Sequence, residues 1–216
     1  MRAFLAGFLG CVLAASLAST EADALGFQAE FRASTFQVTP GDTYADLLAA
    51  HLAGAPLASI AMTGLENVSA QVSAGVSGNY SMLLEVSLTT GVTGSFTFQV
   101  GADWGRGGAA AVIDDATGTV LQQLVRSDDI WWNNNWNDPD VFTTNVVLNA
   151  GSSYSLVWLG FEGCCAGVTT IRFSYAGSPY QNLNDANIAP LVVPEPATAL
   201  LLGTGLATLA SRRRCA

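Results

Sequence analysis

The chain has no lysine and a single histidine, His51, and charged residues make up 12% of its 216 positions. Of its eight basic residues, Arg2 lies near the start and Arg212, Arg213 and Arg214 near the end. Between Glu30 and Asp185 only Arg32, Arg106, Arg126 and Arg172 face fourteen carboxylates, a net charge of −10. So acidic a surface argues against nucleic acid and anionic membrane surfaces as partners. It suits a domain facing calcium, neutral polysaccharide or simply water. With one histidine, no Ser-His-Asp group and no His/Cys metal cluster is evident. Two carboxylates placed for glycoside cleavage would need only proximity in space, so a polysaccharide-cleaving enzyme stands as the least favoured reading. Cysteine is scarce too: Cys11, Cys164, Cys165 and Cys215, of which the middle two are adjacent.

What is present is concentrated at the two ends. Arg2 is followed by an uncharged apolar stretch from Ala3 to Ala18, then by a polar section ending Ala22-Asp23-Ala24. That order of charge, apolar core and small residues is a secretory signal peptide, with cleavage expected after Ala24. Residues 1–24 would then leave. At the other end, Pro194-Glu195-Pro196 precedes an uncharged stretch from Ala197 to Ala210 and then Arg212, Arg213 and Arg214. Two prolines so close cannot lie inside a helix, and each pushes its predecessor toward extended backbone. Pro196 suits the first position of the helix that follows. A helix over 197–210 is shorter than the about 20 apolar residues of a full span. Snorkelling arginines, kept on the cytoplasmic side, cover part of that deficit.

The tail from Val193 to Arg214 resembles the PEP-CTERM sorting signal of exopolysaccharide-producing Gram-negative bacteria. The resemblance implies recognition by exosortase, an integral-membrane enzyme that processes such tails near the Pro-Glu-Pro mark. It implies transient attachment to the inner membrane through the C-terminal helix. It implies a final place at the cell envelope, the cell surface or the extracellular matrix.

Between the ends, residues 25–177 read as one domain. Phe27 to Val38 is an opening strand. Thr39-Pro40-Gly41-Asp42 is a turn, and Asp42 is the expected cap of a short helix running to Ala53, with Tyr44, Leu47, Leu48 and Leu52 on one side and Gly54 as its stop. His51 is expected at the surface or the core edge. Everything beyond Pro56 reads as strands. Phe96, Phe98 and Val100 alternate with polar neighbours, as do Ile171, Phe173 and Tyr175. Val112-Ile113, 120–125, 141–148 and 154–161 supply more, separated by Gly, Asp and Asn clusters. Short strands at this spacing predict a mainly β fold, an antiparallel sandwich. Residues 178–190 read as a polar linker, and 191–216 as the sorting region.

The stretch from Gly94 to Tyr175 resembles PA14-like, jelly-roll-like sandwiches. Its carriers are Gly94 to Asp103, Gly105-Arg106-Gly107-Gly108, Ala111 to Asp115, and Val147 to Tyr154. The Gly163-Cys164-Cys165-Ala166-Gly167 turn resembles a Cys-Cys-x-Gly group of PEP-CTERM proteins. Sugar-binding PA14 members hold calcium on two adjacent aspartates; the matching turn here has Ala102-Asp103, one aspartate.

Candidate sites follow from the side-chain chemistry. Ser127 to Asp140 holds three of the five tryptophans. Trp131, Trp132 and Trp136 suit the apolar face of a sugar ring, and Asn134, Asp103 and Arg106 suit its hydroxyls. The alternative is a loop whose tryptophans fold back on the sandwich. Asp128, Asp129, Asp138 and Asp140 are hard oxygen donors for a possible calcium ion, without the EF-hand spacing. Cys164 and Cys165 are expected to bond to each other in an oxidising compartment, with pairing to another chain or burial as thiols as the alternatives. The leading functional expectation is an exported, non-enzymatic matrix protein touching exopolysaccharide or other glycan. The second is a structural, self-associating matrix or floc protein without a defined ligand.

Overall fold

Alternation of inward and outward side chains builds this molecule. The computed structural model describes residues 25–165 and 167–193. The expected signal segment with Ala24, the Pro194-Glu195-Pro196 mark, the helix at 197–210 and Arg212 to Arg214 lie outside the described residues. Among the described residues no helix is long and apolar enough to cross a membrane.

Two antiparallel sheets face each other. The first has the order β2 (Pro56–Met62), β1 (Leu25–Ala33), β4 (Tyr80–Thr89), β10 (Ser153–Glu162), β6 (Gly108–Asp114), β7 (Thr119–Arg126). The second is β12 (Gln181–Asn182), β11 (Val168–Tyr175), β5 (Gly94–Trp104). On its far side β5 pairs with β8 (Ile130–Trp131) and β9 (Phe142–Leu148), and β11 also pairs with β3 (Val68–Ser69). The expected antiparallel sandwich is therefore what forms.

The core lies between the sheets. β4 sends Met82, Leu84, Val86 and Leu88 inward, and β5 sends Phe96, Phe98, Val100 and Trp104. Trp158 of β10 meets Trp104 and Phe142 edge to face. Such pairs add about 0.5–1.5 kcal/mol beyond burial. The close packing requires Gly160: a Cβ there would stand 2.6 Å from the Trp104 ring.

β10 does not alternate because both its faces are covered. Its outward residues Val157, Leu159 and Phe161 form a second cluster with Tyr44 and Leu47 of α1 (Tyr44–Leu52). α1 is capped by Thr43, not Asp42. Thr43 and Asp46 form a reciprocal capping box, whereas the Asp42 carboxylate accepts from Thr39 N–H at 2.7 Å and closes the preceding turn. A box satisfies two orphan donors at the helix start, which a single Asp42 cap could not. Leu52, expected on the apolar side, is exposed, and His51 is fully buried instead. Positions 44, 47 and 51 recur at helical spacing on the face that meets the sheet.

Two further departures concern the stretch beyond Pro56. A short helix, α2 (Ala70–Ala74), interrupts the strands. Residues 178–190, expected as a polar tether, are built into the sandwich. β12 pairs with β11, α3 (Asp185–Ile188) follows, and a 3-10 turn spans Ala189–Leu191. Leu183 and Ile188 are buried, which the polar composition of the segment hides. Stitching continues to its end: Gly91 N–H donates to Leu191 O at 2.8 Å and Val193 N–H to Thr89 O at 2.8 Å.

His51 gives the fold a pH dependence. Its Nδ1 lies 2.7 Å from Ser81 Oγ, and Nε2 has no hydrogen-bond partner among the described residues. Burial first, then Arg32, lower its pKa to about 4, although Glu30 pulls the other way. The unfolded chain takes up this proton near pH 6.5, the folded one only near 4. Stability is therefore full above pH 6.5, is lost as pH falls toward 4, and levels off below. The loss attributable to His51 is expected to reach about 3 kcal/mol. Urea unfolding at pH 7, 5.5 and 4 checks this, and His51→Gln is expected to remove that component.

Candidate functional site

At one end of the sandwich β5 and β8 run side by side with Asp103 opposite Trp131 and Trp104 opposite Ile130. Alternation turns Trp104 and Ile130 into the core and leaves Asp103 and Trp131 outside. Trp131 is 57% exposed. Beyond β5 the chain turns through Gly105, and opposite it β10 ends at Glu162 and enters the Cys164-Cys165 turn. Together these enclose a cleft of about 220 Å³ lined by Asp103, Asp129, Trp131, Glu162, Cys164 and Cys165.

Glu162 holds the cleft walls in place. It is 6% exposed. Its Oε2 accepts from Gly105 N–H at 2.9 Å, and its Oε1 accepts from Gly163 N–H at 2.7 Å and Cys164 N–H at 3.1 Å. One carboxylate thus satisfies three backbone donors from two turns, the arrangement a buried carboxylate needs. Asp103, in contrast, makes no side-chain hydrogen bond among the described residues. Burial, then Glu162, then Asp129 push its carboxyl above the usual aspartate range.

The structure divides the tryptophans of the loop. Trp132 lies flat on the outer face of the second sheet, 4% exposed, over Gly101. Any side chain at 101 would meet its ring. Trp136 meets Trp132 edge to face with ring centroids 4.7 Å apart. Trp132 is thus a packing residue, not a ligand surface. Fold-back occurs for two of the three rings, and it covers the outside of a sheet, not the sandwich end. Asn134 is exposed with φ of 58°, a turn position. Arg106 does not line the cleft and, among the described residues, pairs with no carboxylate. Its Nη2 donates to Asn79 Oδ1 at 3.0 Å, bracing the Cys turn from behind.

The expected calcium donors do not converge. Arg126 holds Asp128 and Asp140, each at 2.6 Å. Asp140 Oδ2 also accepts from Trp131 N–H at 2.9 Å, and Asp138 Oδ1 accepts from Asp140 N–H at 2.9 Å. Asp129 alone of the four turns to the cleft. Among the described residues no three His, Cys, Asp or Glu side chains are grouped to hold a metal ion. Arg126 neutralises the pair that a cation would need, so the residues do not fit calcium. Cys164 and Cys165, expected as a vicinal disulfide, stand exposed at the cleft with their Sγ atoms 2.6 Å apart.

Ser81, His51 and Glu30 stand in a row that suggests a hydrolytic triad. Ser81 Oγ is fully buried, however, and no substrate can reach it. The Glu30 carboxylate is 3.9 Å from Nε2, beyond hydrogen-bond distance, and is taken by Arg32. A larger hollow of about 640 Å³ over β1, β2 and β4 borders Leu25 and carries no exposed aromatic ring.

The described backbone is hydrogen-bonded to the sandwich as far as Val193, and Pro194-Glu195-Pro196 follows in the sequence. Residues 192–214 are a PEP-CTERM protein-sorting motif. The motif implies export and processing by exosortase, with the chain as substrate. A search of curated proteins finds no match. Among solved structures the chain is similar to a PA14 sugar-binding domain from an RTX adhesin, with 13% identity and a TM-score of 0.47 over 76% of this chain and 97% of that one. It is similar to the epithelial adhesin 9 A domain from Candida glabrata in complex with Galb1-3GlcNAc, with 11% identity and a TM-score of 0.49 over 76% and 90%. The PA14 domain of the antifreeze protein MpAFP gives 13% identity and a TM-score of 0.48 over 78% and 93%.

The uncompensated charge at Asp103 gives a stability prediction. A carboxyl whose folded pKa is raised destabilises the fold once it ionises. Asp103→Asn is therefore expected to raise the melting temperature at pH 7. The gain should vanish below about pH 3, where the acid is protonated in both states. Thermal unfolding at the two pH values measures it.

Proposed function

We propose that this protein is an exported, exosortase-processed component of the cell envelope or exopolysaccharide matrix. In this reading it is non-enzymatic and contacts glycan at the end cleft. The observation that carries the reading is Trp131. It is the exposed tryptophan of the described residues, it stands in register with Asp103, and a cleft opens beside it. An exposed indole offers the apolar face of a sugar ring about as much surface as it can cover, and carboxylates beside it accept from hydroxyls. A cleft of about 220 Å³ suits one or two rings at the end of a glycan more than a long chain laid across it. The contact is proposed without calcium.

A second reading, self-association, is favoured by β2. This edge strand, Pro56-Leu-Ala-Ser-Ile-Ala-Met62, carries no charge and ends the first sheet. Uncharged edges are templates for pairing with another chain.

Three measurements test the proposal and its alternative. On a glycan array the purified protein is expected to bind, and Trp131→Ala to lose at least about tenfold in affinity with the melting temperature kept. Trp132→Ala is expected to act on the fold, costing about 3–5 kcal/mol. No glycan bound, or unchanged binding in Trp131→Ala, would remove the glycan reading. Light scattering that shows concentration-dependent oligomers with no glycan bound would favour the second. For sorting, mass spectrometry of the protein collected outside the cell is expected to find the apolar stretch after Pro196 gone. An exported product still ending in Ala216 would contradict exosortase processing.

A further inference from the structure

Arg172 is placed unlike the other three arginines of the described domain. Arg32 pairs with Glu30, Arg126 with Asp128 and Asp140, and Arg106 is held by Asn79. Arg172 forms no ion pair among the described residues. Its guanidinium carbon sits 3.9 Å from the Trp136 ring centroid and 4.3 Å from that of Tyr180, a cation between two aromatic faces. Nε donates to Gln99 Oε1 at 2.8 Å. Nη1 and Nη2 have no acceptor among the described residues, and Arg172 is only partly buried. The plane of the fork is thus fixed by stacking on both sides and by one hydrogen bond, while its outer edge is left open.

The surroundings are as unusual as the residue. Strand register places Arg172 opposite Gln99, which is opposite Thr143; the next row holds Ser174, Thr97 and Asn145. Gln99 donates to Thr143 Oγ1 at 3.2 Å, and Thr97 to Asn145 Oδ1 at 2.7 Å. On a domain of net charge −10, these two rows carry hydroxyls, amides and one cation. Along β5 the first carboxylate on the same face is Asp103, four residues from Gln99, about 13 Å away in an extended strand. That exceeds the Debye length of about 8 Å at physiological salt. On the loop that carries Trp136, the Asp140 carboxylate is taken by Arg126 and Trp131 N–H, and Asp138 accepts from Asp140 N–H.

We propose that the Trp136–Arg172–Tyr180 stack on the outer face of the second sheet is a binding site for the carboxylate of an acidic sugar, a uronate unit within a polysaccharide. An arginine fork takes a carboxylate through two parallel N–H donors. Here its side-chain freedom is lost before the ligand arrives, which removes an ordering cost from binding. The ring edges of Tyr180 and Trp136 flank the fork, and the hydroxyl and amide rows continue along the face, where the ring hydroxyls of a sugar chain would lie. The site is separate from the end cleft, whose carboxylates repel a uronate, and it stands without the Trp131 reading.

The test is calorimetric titration of the purified full chain with trigalacturonate and with its fully methyl-esterified form, which has the same backbone without charge. The acid form is expected to bind, and the ester at least about tenfold more weakly. Arg172→Lys keeps the charge and loses the fork, and should lower affinity for the acid form about tenfold. Trp131→Ala should leave that affinity unchanged, which separates this site from the cleft. Should Arg172→Lys fail to fold, Tyr180→Ala, which removes an exposed ring, carries the same decision. Failure of the acid form to bind, equal affinity for acid and ester, or full affinity retained in the folded variant would overturn the proposal.

Discussion

One buried carboxylate organises the cleft end of this molecule. Glu162 closes β10, and its two oxygens take three backbone N–H groups from the Gly105 turn and the Cys164 turn. Each donor lies near the end of a sheet with no ladder partner, and Glu162 supplies its acceptor. With those turns fixed, Asp103 and Asp129 are held in the same cleft as Glu162, and Asp103 has no donor to offset the repulsion. Asp103 is thus a position where stability is given up.

The same sheet end makes a division of labour among aromatic rings. Trp104 and Trp158 form the core, with glycines opposite to admit them. Trp132 and Trp136 cover the outer face of the second sheet, and Trp131 stands free. Strand parity sets the fates of Trp104, Trp158 and Trp131, whereas Trp132 and Trp136 lie beyond β8 and are placed by the loop. Residue 104 is inward, 131 is outward beside 103, and 132 crosses to lie over the side-chain-free strip at Gly101. The result is two surfaces of opposite character: an acidic cleft with a bare indole, and a carboxylate-poor face with one stacked arginine. Both lie on a body whose described backbone is stitched down as far as Val193, within the start of the sorting motif.

Much of the architecture was legible in the sequence. Phe96, Phe98 and Val100, or Ile171, Phe173 and Tyr175, announce half-buried strands by parity alone, and the three-part tail announces its own handling. Other features were not legible because they depend on contacts distant in sequence. Residues 178–190 look like a linker because few of them are apolar, yet Leu183 and Ile188 suffice to dock the segment. His51 looked peripheral because helical spacing does not say which face meets a sheet. Asp128 and Asp140 looked like cation ligands because charge counting cannot see that Arg126 lies between them. Glu162 gave no local signal, although a lone acid at the end of an apolar strand beside Gly-Cys-Cys could have been read as a turn organiser. Arg172 is anonymous in sequence; only register and the return of the chain at Trp136 and Tyr180 give it two aromatic walls.

Glu162 pre-organises the cleft, and native-state hydrogen exchange of the Gly105, Gly163 and Cys164 amides is the decisive measurement. Slow exchange is expected at all three positions in the wild-type protein, and fast exchange in Glu162→Ala with protection of β4 and β10 retained. Exchange at the rate of an open loop in the wild-type protein would contradict it.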